Sequence, residues 1–172
     1  MDGSSGSIVK ALRAVLPTAF AILAAPLAAE IAQPPLTGTG VTDILETART
    51  ACKDAEAGSF ALSAAAYTAT DLDGDGEEDD LVIDLAQGGC ARAPAFFWSS
   101  GGSPIAFVLD GDVSTAFLAI GWSTADLPEG PRVILLSVHG SFCGSYGTAS
   151  CVQAVTVSEG AFRSTGAALE DF

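Results

Sequence analysis

The chain has 172 residues and a formal net charge of −14 at pH 7, from 21 acidic and seven basic residues. So strong a negative charge repels the phosphates of nucleic acids and anionic lipid surfaces, which excludes both as expected partners. The length suffices for one hydrophobic core and one globular domain.

The first 29 residues have the three parts of a cleavable secretory signal. Lys10 and Arg13 precede an uncharged apolar run over 14–29, which ends in small residues before Glu30. This order is typical of signal peptides. A retained membrane anchor is the alternative, but the run contains two prolines and is shorter than the roughly 20 residues that span a bilayer. We therefore predict a periplasmic or secreted protein with no membrane part after cleavage.

Residues 30–40 are predicted to be a mobile linker, since they include the Pro- and Gly-rich sequence QPPLTGTG. The remaining residues, 41–172, are expected to form a single globular domain. Helical spacing of apolar residues predicts a helix over 41–57 that ends at Gly58. Asp43 and Glu46 have the spacing of a capping box at its start.

Beyond this helix, short apolar runs alternate with Gly, Pro, Asp and Ser, a pattern typical of strands and tight turns. The predicted strands are 60–70, 81–85, 95–98, 105–109, 115–120, 132–139, 152–157 and 161–162. Asp110-Gly111 and Glu159-Gly160 are predicted hairpin turns. Trp98, its neighbours in the run Phe-Phe-Trp, and Trp122 are expected in the core or on a sheet face. The expected fold is α+β or mainly β, with an N-terminal helix packed on a curved antiparallel β-meander and two disulfides.

The segment 71–80, DLDGDGEEDD, carries the most specific chemistry of the chain. Three aspartates at a spacing of two precede Gly76, so that alternate carboxylates converge on one point, as a hard cation such as calcium requires. Eight acidic residues lie within 71–84, and they repel one another without a counter-ion. A solvated acidic turn without an ion is the alternative. The predicted calcium ligands are Asp71, Asp73, Asp75, Glu77 through its backbone carbonyl, and Asp79, with Asp80 as the alternative to Asp79.

The sequence DLDGDGEEDDLVID resembles the acidic loop of FG-GAP and VCBS-type repeats, in which a DxDGDGxxD loop leads into an apolar strand. Dockerins and thrombospondin type 3 repeats use a similar loop. The resemblance covers about 14 residues and implies calcium carried by Asp71, Asp73, Asp75 and Asp79. An EF-hand would need a glutamate where this chain has Val82. More loosely, the mature chain resembles exported bacterial proteins of unknown function, a likeness that implies no activity.

Four cysteines in an exported chain predict two disulfides. Of the three possible pairings we favour Cys52–Cys90 and Cys143–Cys151, because the second pair encloses the Gly- and Ser-rich sequence GSYGTAS, which turns back easily. A zinc site is the alternative, but the chain has no CxxC motif and a single histidine.

No arrangement of residues matches a catalytic signature. Ser137, Ser141 and Ser145 lie near His139, but no Gly-x-Ser-x-Gly motif occurs, so His139 is expected to be a structural residue at a strand end. The expected function is that of an exported, calcium-stabilised binding or accessory domain with an unidentified protein or small-molecule partner. The alternatives are a hydrolase that uses His139 and a periplasmic enzyme inhibitor that presents the segment 143–151.

Overall fold

The computed structural model describes residues 31–128, 130–147, 149 and 151–166. The predicted signal peptide lies outside the described residues, so it stays a prediction. No helix in the described ranges is long and apolar enough to cross a bilayer. The main elements are α1 (Thr39–Asp54), β1 (Phe60–Leu62), β2 (Tyr67–Thr70), β3 (Asp80–Asp84), β4 (Gly88–Cys90), β5 (Ser103–Leu109), β6 (Val113–Ala119), β7 (Gly121–Asp126), β8 (Arg132–Val138), β9 (Cys151–Ser158) and β10 (Ala161–Ser164).

The strands form two antiparallel four-stranded sheets and one small ribbon. The first sheet has the order β2-β3-β5-β6, the second has the order β10-β9-β8-β7, and β1 pairs with β4 in the ribbon. The chain passes from the first sheet to the second at Ile120, between β6 and β7. The predicted α+β or mainly β fold, with a helix on antiparallel sheets, is confirmed, although the sequence did not indicate the division into two sheets.

The first sheet is the middle layer, with an apolar core on each of its faces. Because successive side chains of a strand point to opposite faces, β3 serves both cores, and it is therefore apolar without alternation over Leu81, Val82 and Ile83. The core on the helix side includes Ile44, Leu45, Ala48, Leu81, Ile83 and Val108. The core between the sheets includes Val82, Phe107, Phe117, Ile134, Leu136 and Val155.

The helix begins two residues before its predicted start and is capped from elsewhere in the chain. The first N–H groups are bonded by the β5–β6 turn: Thr39 N–H donates to Asp112 Oδ1 at 3.1 Å, and Gly40 N–H donates to the Gly111 carbonyl at 3.0 Å. A Cβ at Gly38 would collide with that carbonyl, so only glycine permits this approach. The predicted capping box is wrong, because a distant turn satisfies the orphan donors.

The described part of the predicted linker is attached to the domain. Ile31 forms a parallel bridge with Leu62, and Ala32 N–H donates to the Leu62 carbonyl at 2.8 Å. The hydroxyl of Tyr67 donates to the Ala32 carbonyl at 2.9 Å, and burial raises the pKa of this phenol. Leu36 packs against the helix-side core. The described part of the predicted linker therefore packs on the domain, through contacts that its composition did not indicate.

Most predicted strands are present, and the exceptions have local causes. The predicted strand 60–70 is interrupted by the 3₁₀ turn Ala64–Ala66, and the predicted strand 95–98 is a series of turns held by i to i+3 backbone bonds such as Trp98 N–H to the Ala95 carbonyl. Within that run the Phe97 side chain is buried as expected, whereas Trp98 is 63% exposed. Strands β4 and β7 were not predicted, since their sequences GGC and GWSTAD are mostly small or polar.

Both predicted hairpin turns and both favoured disulfides are confirmed. Asp110 and Gly111 have φ of 49° and 80°, and Glu159 and Gly160 have φ of 55° and 67°, the positive values that tight hairpin turns require. The Glu159-Gly160 loop has the expected two residues, because Ser158 pairs with Ala161. The loop at Asp110-Gly111 has a third residue, Asp112, because Leu109 pairs with Val113. Cys52–Cys90 joins α1 to β4 across 38 residues, and Cys143–Cys151 closes a segment of eight residues before β9.

Candidate metal centre

The acidic segment 71–79 connects β2 to β3 at one end of the first sheet. Thr70 pairs with Asp80 across these two strands, so the segment leaves and re-enters the sheet at the same level. The β5–β6 turn reaches this end too, because Leu81 pairs with Val108 in β5. We call this region, with the carboxylates of Asp71, Asp73, Asp79, Asp80 and Asp110, the acidic end.

Asp80 is the most deeply buried carboxylate of the acidic end, with 2% of its surface exposed. Its Oδ2 accepts a hydrogen bond from Leu72 N–H at 2.7 Å, and its Oδ1 accepts one from Asp110 N–H at 3.1 Å. Burial raises the pKa of this carboxyl, although the two N–H donors oppose the rise. One side chain therefore fixes both the acidic segment and the β5–β6 turn.

Asp71 organises the segment from its other side. Its Oδ1 accepts a hydrogen bond from Gly74 N–H at 2.6 Å, and its Oδ2 accepts one from Gly76 N–H at 3.0 Å. Asp73 and Asp75 each accept the N–H two residues ahead through Oδ1, at 3.0 and 2.8 Å. Such aspartate turns shape a short polar loop without help from a sheet ladder.

Arg132 at the start of β8 is the cation that contacts the described acidic end. Its Nη1 lies 3.0 Å from Asp71 Oδ2 and donates to the Asp71 backbone carbonyl at 2.8 Å. Its Nε and Nη2 donate to the two carboxylate oxygens of Asp126 at 2.7 and 3.2 Å. These bonds lower the pKa of Asp126. Arg132 thus ties the acidic segment to the second sheet.

Two overlapping groups of carboxylates lie close enough to share a cation. The oxygens of Asp71, Asp73 and Asp80 lie within 4.8 Å of one another, and so do those of Asp79, Asp80 and Asp110. The donors are all oxygen, which suits calcium or magnesium and not a thiolate-preferring metal. The geometry is therefore suitable for a hard cation.

The two groups differ in part from the predicted ligand set. Asp71 and Asp73 fall in one group, with Asp80 as the third member, while Asp79 falls in the other and Asp75 in neither. Glu77, expected to act through its carbonyl, donates its own N–H to Asp75. Asp110 was not predicted, because only the pairing of β3 with β5 brings it to this end. Its LDGD sequence signals a turn and not a ligand.

The alternative interpretations of the sequence concern zinc at the cysteines, catalysis by His139 and inhibition through the segment 143–151. All four cysteines are disulfide-bonded, so none offers a thiolate to zinc. His139 Nδ1 lies 2.8 Å from Ser141 Oγ, a local contact at the start of a 3₁₀ turn, and no carboxylate in the described ranges hydrogen-bonds the imidazole. The predicted inhibitor segment presents Tyr146 with 87% of its surface exposed. Hydrolase and inhibitor functions both stay predictions.

Comparison of the chain with protein families, with curated proteins and with solved structures finds no match in any of the three. The chemistry of the residues is therefore the only basis on which a function can be argued. At the acidic end that chemistry is a set of convergent carboxylate oxygens with one guanidinium beside them.

Proposed function

We propose that the protein is an exported binding or accessory domain in which a calcium ion, bound at the acidic end, stabilises the fold. The observation that carries this proposal is the approach of Asp71, Asp73 and Asp80 to within 4.8 Å of one another. One short segment and the strand after it supply three oxygen ligands for a hard cation. Water can fill the remaining coordination positions of the ion.

Charge balance supports a bound cation. Five carboxylates crowd the acidic end, and Arg132 neutralises only Asp71 among them by direct contact. Asp71 and Asp80 are both buried, where charges of like sign repel more strongly than they do in water. A divalent ion removes this repulsion, and it binds only the folded chain because the unfolded chain does not hold the ligands together.

The two disulfides support export, since oxidising compartments form and keep such bonds. Calcium sites of extracellular modules have dissociation constants on the order of 10⁻⁴–10⁻³ M. An ion of that affinity serves as a structural element and not as a sensor. We therefore place the protein in the periplasm or outside the cell, with the ion as part of its scaffold.

The test is thermal and urea unfolding of the purified protein in calcium and in chelator. With about 10 mM free calcium, mass action gives a stabilisation of about 1.4–2.7 kcal/mol for the affinities above. Asp73→Asn should remove most of this gain, since it takes away a charged ligand while the amide oxygen can still accept from Asp75 N–H. Asp75→Asn is the matched control, because Asp75 is also exposed and makes the same type of turn but belongs to neither group.

Each outcome decides between stated ligand sets. A calcium response lost in Asp73→Asn and retained in Asp75→Asn supports the ligands Asp71, Asp73 and Asp80. Equal loss in both variants supports the ligand set predicted from the sequence, in which Asp75 takes part. Unfolding curves of the unmodified protein that coincide in calcium and chelator, with no heat of binding by calorimetry, would refute the proposal.

A further inference from the structure

A second site lies at the opposite end of the first sheet. The chain forms a cleft of about 300 Å³ there, where β3 ends at Asp84, β5 begins at Ser103 and β6 ends beside Ile120. The turn that precedes β5 supplies a further wall, including Trp98 and Ser99, and the 3₁₀ turn Leu85–Gln87 after β3 supplies Gln87. This volume is at the lower end of the range for small-molecule sites, which suits a ligand of about one ring. We call it the Trp98 cleft.

Asp84 is held in place with half of its hydrogen-bonding capacity unused. Its Oδ1 accepts from Ala86 N–H at 2.9 Å and from the Ser103 hydroxyl at 3.1 Å, so the carboxylate orientation is fixed. Its Oδ2 has no hydrogen-bond partner among the described residues, and Asp84 lines the cleft. A fixed carboxylate with a free oxygen at a cleft wall is preorganised to accept hydrogen bonds from a ligand.

Trp98 supplies an exposed aromatic surface beside this carboxylate. The indole is 63% exposed, and Ile120, which also lines the cleft, is 54% exposed. The backbone under the tryptophan is well fixed: Trp98 N–H donates to the Ala95 carbonyl at 3.1 Å, and Ser99 N–H donates to the Gly102 carbonyl at 3.0 Å. An exposed indole on a fixed turn, next to polar groups, offers an apolar face to a ligand together with hydrogen-bonding partners at its edge.

The remaining side chains that line the cleft indicate which class of ligand fits it. Gln87 contributes an amide, and Ser99 and Ser103 contribute hydroxyls, so the polar wall is neutral apart from Asp84. No basic side chain is among the described residues that line the cleft, which disfavours anionic ligands. Cages for organic cations surround the charge with several aromatic rings, and this cleft has one.

We propose that the Trp98 cleft binds a pyranose ring of a neutral carbohydrate. The indole packs against the C–H face of the ring, as an amphipathic aromatic side chain allows. Asp84 Oδ2 and the side-chain oxygen of Gln87 accept hydrogen bonds from sugar hydroxyls, and the side-chain NH₂ of Gln87 donates to sugar oxygens. The Ser99 and Ser103 hydroxyls donate to the Gly102 carbonyl and to Asp84, so toward a sugar their oxygens act as acceptors. The cleft is separate from the acidic end, because the two lie at opposite ends of strand β3, at Asp84 and at Asp80.

The test uses NMR titration of the purified protein with glucose, galactose, mannose and N-acetylglucosamine, and with choline and lysine as cationic probes. We expect one or more of the neutral sugars to shift the Trp98 indole N–H signal in a saturable way, with millimolar affinity, while the Trp122 signal serves as an internal reference. The affinity should be the same in calcium and in chelator, so failure here and failure of the calcium site are distinguishable.

Three variants assign the binding. Trp98→Ala should weaken sugar binding at least tenfold, and Asp84→Asn should weaken it several-fold while an amide oxygen still accepts from Ala86 N–H. Phe96→Ala is the matched control, because Phe96 is an exposed aromatic on the same turn that does not line the cleft. Sugar binding that survives Trp98→Ala, saturable binding of choline or lysine in place of sugars, or no saturable shift with any of the four sugars would overturn the proposal.

Discussion

Strand β3 begins with Asp80 and ends with Asp84, and the two carboxylates differ in burial and in how many of their oxygens accept hydrogen bonds. Asp80 is buried, and each of its oxygens accepts a backbone N–H. Asp84, at the other end, is half-buried and leaves Oδ2 without a partner in the described chain. Because the two aspartates are four positions apart in the strand, their side chains lie on the same face of the sheet. They therefore differ in burial and not in the face that they occupy.

The difference comes from the loops that meet each end of the strand. At the acidic end, the segment 71–79 and the β5–β6 turn are rich in aspartate, and Arg132 contacts the segment. The Trp98 cleft receives a turn rich in glycine and serine with one exposed indole. One end is therefore suited to a cation, and the other to a neutral ligand. The same strands of the first sheet run between the two ends, and the loops at each end supply the side chains that make the ends chemically different.

The largest expected difference between the two ends of β3 is in how much each aspartate contributes to the free energy of unfolding. Asp80→Ala leaves the buried N–H of Leu72 and the part-buried N–H of Asp110 without acceptors. A fully buried unsatisfied group typically costs about 1–3 kcal/mol and a part-buried one less, so the expected cost is about 2–4 kcal/mol. Asp84→Ala loses the acceptor for Ala86 N–H and for the hydroxyl of the buried Ser103, at a half-exposed site, and should cost about 1–2 kcal/mol. Urea unfolding in chelator measures both. Equal losses would mean that the two ends of β3 do not differ in the role assigned to their carboxylates.

A smaller effect concerns Arg132 and calcium. Arg132→Met removes a positive charge 3.0 Å from Asp71, so calcium affinity should rise about three- to tenfold, as expected for a unit charge a few ångströms away in a high-dielectric medium. In chelator the same variant should melt earlier, because the ion pairs of Asp71 and Asp126 are lost. Calorimetric titration gives the affinity, and Arg163→Met, at an exposed arginine in β10, controls for net charge. A lower calcium affinity would show that Arg132 is needed to position the ligands.

Local patterns were sufficient for most of the fold. The apolar runs of β3 and β8 and the Asp-Gly and Glu-Gly turns are properties of adjacent residues, and each was predicted near its observed place. The pairing Cys143–Cys151 followed from the short Gly- and Ser-rich stretch between them. Of the candidate metal centre, Asp71 and Asp73 were predicted in the same way, because the spacing of two is visible in the sequence.

Contacts between distant residues could not be predicted. Asp112 caps a helix that begins 73 positions earlier, and Arg132 reaches an aspartate 61 positions away. No local rule selects those partners from the other polar residues of the chain. Trp98 was misjudged for a related reason: an apolar run of three suggested a strand, whereas backbone bonds within the run fold it into turns and direct one aromatic ring outward. The Trp98 cleft was missed with it.

The smallest expected effect is a pH dependence at Asp126, the second carboxylate that Arg132 contacts beside the acidic end. The Trp98 cleft has no basic side chain among its described lining residues, so no such effect is expected there. Hydrogen bonds from Arg132 lower the pKa of Asp126, so folding favours its ionised form. The resulting stability is present above the unfolded pKa, near 3.8, and is lost as the pH falls through the lower folded value. The contribution is small because Asp126 is 73% exposed and solvent screens the pair. A carboxyl-carbon NMR titration should show the Asp126 pKa returning to its ordinary range in Arg132→Met and staying low in Arg163→Met. An Asp126 pKa that does not respond to Arg132→Met would remove the guanidinium as the electrostatic link between the acidic segment and the second sheet.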